Sequence, residues 1–142
     1  MSRALLDVNV LLALLDLDHV HHETARHWLT SEQDPSWSSC AITQNGLVRI
    51  MSSPAYPSGV SVAAARERLS QACATRLHEF WPCDVSVLDA GIGNDSILTS
   101  RQVTDVYLLA LAVAHGGRLV TFDRSIRIDA VVGAGPHHLV AL

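Results

Sequence analysis

The sequence contains no lysine: all ten of its basic residues other than histidine are arginine. That absence excludes Schiff-base chemistry and a P-loop, both of which need a lysine amine. Cysteine is scarce. Cys40, Cys73 and Cys83 are odd in number and lack Cys-x-x-Cys spacing, which argues against a disulfide framework or a thiolate zinc site. They are expected in the core or partly buried. Aromatic residues make up only 5% of the chain, and no stacking platform for single-stranded nucleic acid is evident. The longest apolar run near the start, Ala4 to Leu15, is broken by Asp7 and Asn9 and is too short to cross a bilayer. It is also unlike a secretory leader, having an aspartate in its middle and no cleavage site after it. The cytoplasm is the expected location, with no membrane partner. No repeat or low-complexity tract divides the chain, and the apolar fraction of 49% is enough for a core, so one domain over residues 1–142 is expected. A net charge of −4 is not that of a protein held to nucleic acid by a basic surface alone. Arginine is, however, the better bidentate ligand for phosphate.

What is present alternates between two periods. Ala4-Leu-Leu-Asp7 reads as a buried strand ending in a carboxylate, followed by a short apolar helix over Val10 to Leu15. His19 to Thr30 is amphipathic, offering Val20, Ala25, Trp28 and Leu29 to a core. Trp37 to Cys40 reads as a second strand and Thr43 to Ser52 as a helix stopping before Pro54. Ser52 to Gly59 is a loop by composition, and Ser61 to His78 is the longest helical pattern. Phe80 to Val87 is ambiguous, with room for a short strand. Thr104 is a candidate N-cap for a helix from Asp105 to about His115 that is apolar almost all round, hence buried. Gly116-Gly117 ends it. Arg118 to Phe122 is a further strand with Asp123 at its end, and His138 to Leu142 a last one. Strands alternating with helices predict an α/β sandwich on a mostly parallel sheet.

Two predicted strands thus end in a carboxylate, Asp7 and Asp123. In open parallel sheets, sites form beyond the carboxyl ends of the strands. Asp105 opens the helix that feeds the second of these strands, so its end returns to the same edge. Taken singly, Asp7 could form a turn, Asp105 could favour a helix start, and Asp123 could cap its own turn. Taken together, three close carboxylates repel one another unless a cation neutralises them. A hard divalent ion takes such oxygen ligands and can activate water against a phosphoryl group, which points to hydrolytic phosphodiester cleavage. Asn9 and Thr121 are candidates to orient ligands or water from behind, although Thr121 is equally an ordinary strand residue.

Leu5-Leu-Asp-Val-Asn-Val-Leu-Leu12, Thr104-Asp105 opening an alanine- and leucine-rich helix, and Gly117-Arg-Leu-Val-Thr-Phe-Asp123 resemble the PIN-domain pattern, most of all the VapC-type toxins. Thr43-Gln-Asn-Gly-Leu-Val-Arg49 and Arg101-Gln-Val-Thr-Asp105 are similar to one branch of it. The resemblance implies a PIN-like sandwich and an endoribonuclease dependent on Mg²⁺ or Mn²⁺ held by Asp7, Asp105 and Asp123. It also implies a homodimer and inhibition by a small antitoxin. Arg49, Arg101 and Arg124 are then candidates for RNA phosphates, against the plainer alternative of solvated or ion-paired side chains.

The sequence departs from the family at one place. A glutamate usual on the helix after the second strand falls here at Gly46, beside Asn45, and no acid lies between Thr43 and Ser61. Gln44, Asn45 or Asp95 could stand in. A PIN scaffold with a weakened site, acting by binding RNA or protein, is therefore a second reading. An aspartyl phosphatase with Asp7 as nucleophile is a third; it lacks the second acid, replaced by Asn9, and the usual lysine. The histidine clusters, His19-His21-His22 and His137-His138, lack helical ligand spacing and are expected to be scaffold, surface or interface residues.

Overall fold

The computed structural model describes residues 2–89 and 91–142. Strands and helices alternate: β1 (Ala4–Leu6), α1 (Val8–Leu15), α2 (His22–Ser31), β2 (Trp37–Cys40), α3 (Ala41–Met51), α4 (Val62–Cys73), β3 (His78–Trp81), α5 (Val103–Ala114), β4 (Arg118–Thr121) and β5 (Leu139–Ala141). The strands form one sheet in the order β3-β2-β1-β4-β5, and every pairing is parallel. The predicted α/β sandwich is the architecture observed.

Period-two alternation divides the core between the two faces of the sheet. Leu5 and Leu119 face α5, in a cluster with Leu108, Leu109 and Leu111. Ala4, Leu6 and Val120 face the other way, onto α1 and α3 through Val10, Leu11 and Leu47. The strand pair that matters for function, β1 and β4, lies in the middle, with Leu5 beside Leu119 and Leu6 beside Val120. Both strands stop at the same edge, so Asp7 and Asp123 emerge there together.

α5 has Val106 to Ala112 buried, as its apolar run predicts. The turn after it is set by two glycines. Gly116 has φ +69°, a conformation side chains avoid, and a Cβ on Gly117 would lie 2.5 Å from the Arg3 carbonyl oxygen.

Several boundaries differ from the sequence expectation. α5 begins at Val103 with Gln102 as its cap, not Thr104, because a 3₁₀ turn over Ser100–Gln102 runs directly into it. α4 ends at Cys73, and the residues from His78 leave the helical pattern to pair with β2, His78 opposite Trp37. Pairing with a neighbouring strand overrides local helical preference there. Val20 is 85% exposed rather than in the core, since α2 starts only at His22. Cys40 is buried and Cys73 half-buried, but Cys83 is exposed; all three are free thiols. No helix among the described residues is long and apolar enough to cross a membrane.

Candidate active site

The site is built on the link between the ends of β1 and β4. Asp7 follows β1 and caps α1: its Oδ1 accepts the Val8 N–H at 2.7 Å. Its other oxygen, Oδ2, accepts the Thr121 hydroxyl at 2.8 Å. Thr121 is fully buried, and its hydroxyl oxygen also accepts from the Asn9 amide at 3.3 Å and from the Asp123 N–H at 3.0 Å. Asn9 in turn accepts the Phe122 N–H at 3.2 Å. Asn9 and Thr121 are both hydrogen-bonded into this edge, and one threonine hydroxyl joins Asp7, Asn9 and Asp123.

Asp105 stands in the first turn of α5, on the opposite face of the sheet, and reaches the same edge. Its carboxyl is pushed up to about 6 by burial first, then by the charges of Asp7 and Asp123 and by a hydrogen bond to Asp123. Asp7 is also raised, chiefly by burial, with Asp123 adding repulsion and Thr121 and Val8 opposing it. Asp123 moves the other way: Ser125 holds its carboxylate ionised through an O–H bond of 2.6 Å and an N–H bond of 2.8 Å. Of Asp105 and Asp123, Asp105 is the one that protonates first as pH falls.

The donor chemistry fits a hard divalent cation. All three side chains offer carboxylate oxygen, the charges are close enough to raise one another, and a cation would relieve that repulsion. Among the described residues no three His, Cys, Asp or Glu side chains form a preassembled metal cage. The three aspartates act on one another's charge, and an ion held among them would favour their ionised forms.

The position that lacks the family glutamate is tightly packed. A Cβ on Gly46 would lie 2.7 Å from Cγ2 of Val8, the residue after Asp7. α3 and α1 touch at this point, and any larger side chain must move Val8. None of the suggested stand-ins is bonded to the acidic group. Gln44 donates to Ser39 Oγ at 2.9 Å, and the exposed Asn45 lines a groove between α3 and α4. Asp95 borders a separate 290 Å³ depression with Ile92, Leu98 and Val106.

The arginines are dispersed. Arg124 follows Asp123 and donates to the Leu142 carbonyl at 3.1 Å. Arg101 is exposed in the turn before α5. Arg49 lies on the α3–α4 groove with Arg66, Leu69 and Cys73. That groove is 670 Å³ in volume, and none of the three aspartates lines it. A feature the sequence did not disclose is a ring stack between His21 and Phe122, whose partners are far apart in the chain.

Comparison with known proteins agrees with this geometry. The PIN domain family model matches residues 4–130. The chain is 62% identical to Ribonuclease VapC44 of Mycobacterium tuberculosis over 141 residues, 99% of each chain. It is 41% identical to Ribonuclease VapC39 of the same organism, covering 92% of this chain and 95% of that one. The crystal structure of M. tuberculosis VapC20, described as a sarcin-ricin loop cleaving toxin, superposes with a TM-score of 0.63 at 12% identity, over 94% of this chain and 99% of the other. At that identity the likeness is one of fold. The chain belongs to the PIN-domain family, among its VapC-type members.

Proposed function

We propose that the chain, one PIN-like domain over its 142 residues, is an endoribonuclease toxin of a toxin–antitoxin pair, using Mg²⁺ or Mn²⁺ to hydrolyse RNA phosphodiester bonds. The observation that carries this is that Asp7, Asp105 and Asp123 lie close enough at one sheet edge to act on one another's charge, with Asp105 raised to about 6 by burial and then by Asp7 and Asp123. Asp7, Asp105 and Asp123 would hold the ion. When bound, it supplies an activated water and charge stabilisation at the phosphoryl group.

The remaining chemistry belongs to the chain itself. Thr121 and Val8 fix both oxygens of Asp7, so that carboxylate is aimed before anything binds. Asn9 ties α1 to the end of β4 and keeps Asp123 at its distance from Asp7. Ser125 donates two hydrogen bonds to Asp123 and keeps it in the ionised form that an ion would bind. Arg101, exposed four residues before Asp105, and Arg124, exposed and next to Asp123, would meet RNA phosphates; Arg49, on the α3–α4 groove, is the weaker candidate. Partners follow from family membership: an RNA substrate, a small cognate antitoxin, and a second copy of the chain as a homodimer. A cytoplasmic location fits such partners.

The contact between Gly46 and Val8 supports a second reading, a scaffold with one carboxylate fewer that acts by binding. Calorimetric titration with Mn²⁺ separates the two. The nuclease reading expects binding that Asp105→Asn weakens at least tenfold. Absence of Mn²⁺ binding in the unaltered chain would favour the binding-only reading.

A further inference from the structure

The histidine cluster ahead of α2 is not accounted for by the acidic site, and its members differ in what they do. His22 is buried, with ring Nδ1 2.7 Å from the Ala13 carbonyl oxygen, and serves the packing of α2 on α1. His19 uses its Nδ1 to accept the His21 N–H at 3.0 Å. His21 precedes α2 without a side-chain capping bond, and its exposed ring lies on the face of Phe122, centroids 4.8 Å apart at 26°. The His19 ring follows at 5.8 Å, tilted by 43°. The three rings form a short row.

That row starts at the acidic edge. Phe122 sits between Thr121, which bonds Asp7, and Asp123 itself, and its N–H is held by Asn9. The row's middle ring, His21, is exposed, and His19 at its end is half-buried. A flat ring supported from below by a second ring is the arrangement on which an unpaired base stacks, and stacking of this kind tolerates any base because each has a π face.

We propose that His21, seated on Phe122 with His19 beside it, is a base-stacking subsite that holds one unpaired nucleotide of the RNA next to the aspartates. This rests on the ribonuclease reading of that edge and deepens it. The subsite would select single-stranded or looped RNA and place the backbone so that a neighbouring phosphate faces Asp7, Asp105 and Asp123. His21 is thus a positioning residue.

The test uses single-stranded oligoribonucleotides carrying 2-aminopurine at successive positions, bound to the full chain with Asp105→Asn to keep the RNA intact. Stacking predicts quenching at one position. It also predicts that His21→Ala, in the same background, abolishes the quenching and weakens RNA binding about tenfold, while His21→Tyr retains both. In the cleaving chain the loss should fall on KM more than on kcat. A His21→Ala protein that melts like its parent yet quenches and binds as well overturns the proposal, and leaves the stack a clamp between α2 and β4. Cutting by the unaltered chain with no quenching at any position overturns the subsite and leaves the nuclease standing. His21-dependent quenching without any cutting supports the subsite and removes the nuclease. Neither quenching nor cutting overturns both.

Discussion

Thr121 donates its hydroxyl to Asp7 across 2.8 Å, binding the end of β4 to the end of β1. The same oxygen accepts from Asn9 and from the Asp123 backbone, so one buried hydroxyl fixes the floor of the acidic edge. Thr121→Val keeps the shape and removes all three bonds. The expected cost is about 1–3 kcal/mol, because polar groups around a buried position lose their partner. Asp7 also loses a bond that favours its ionised form, so the acidic limb of the pH–rate profile should move to higher pH. Thr121→Ser should restore both. Urea unfolding and a pH–rate profile read the two effects separately.

Gly46 should tolerate no side chain while Val8 is in place. Gly46→Ala sets a Cβ 2.7 Å from Val8 Cγ2 and is expected to cost about 1–3 kcal/mol through overpacking. Adding Val8→Ala should recover part of that loss, and a double-mutant cycle of unfolding free energies measures the coupling. Simple additivity would mean that α3 and α1 part without strain.

Without metal, stability should fall as pH rises through the range of the raised aspartates. Asp105 is held up at about 6 and Asp7 is raised in the same direction, so the folded chain binds more protons than the unfolded one between about 4 and 6. Stability from these protonated groups is fully present below the unfolded value and is lost as pH climbs past the folded one. Tm in EDTA should therefore decline over that interval more steeply than in Asp105→Asn. Mn²⁺ should raise Tm at pH 7, where the carboxylates repel most. A flat Tm in EDTA, equal in both proteins, would show that the three acids do not strain one another.

The parts of this arrangement that were legible in the sequence are those governed by local pattern. An apolar run ending in Asp7, another ending in Asp123, and an apolar helix opening at Asp105 are each readable alone, and the parallel sheet follows from their alternation. Tertiary pairing hid the rest. His78 looks like the tail of a helix until β2 offers it a partner. Gln102 becomes the cap of α5 only because a 3₁₀ turn precedes it. The missing acid at position 46 reads as a chemical loss in the sequence and as a helix contact in the structure. The His21–Phe122 stack joins a helix entry to a strand exit, and no period in the sequence relates them.

If the aspartate edge cuts RNA with a divalent ion, RNA cleavage must depend both on that ion and on Asp105. Total RNA is incubated with the purified chain in Mg²⁺, in Mn²⁺ and in EDTA, beside an Asp105→Asn protein prepared identically. Discrete fragments that need the ion are expected, and they should fall by about a hundredfold in the variant, which loses one of the carboxylates that would hold the ion. Equal cutting by both proteins, or cutting that persists in EDTA, would contradict that dependence.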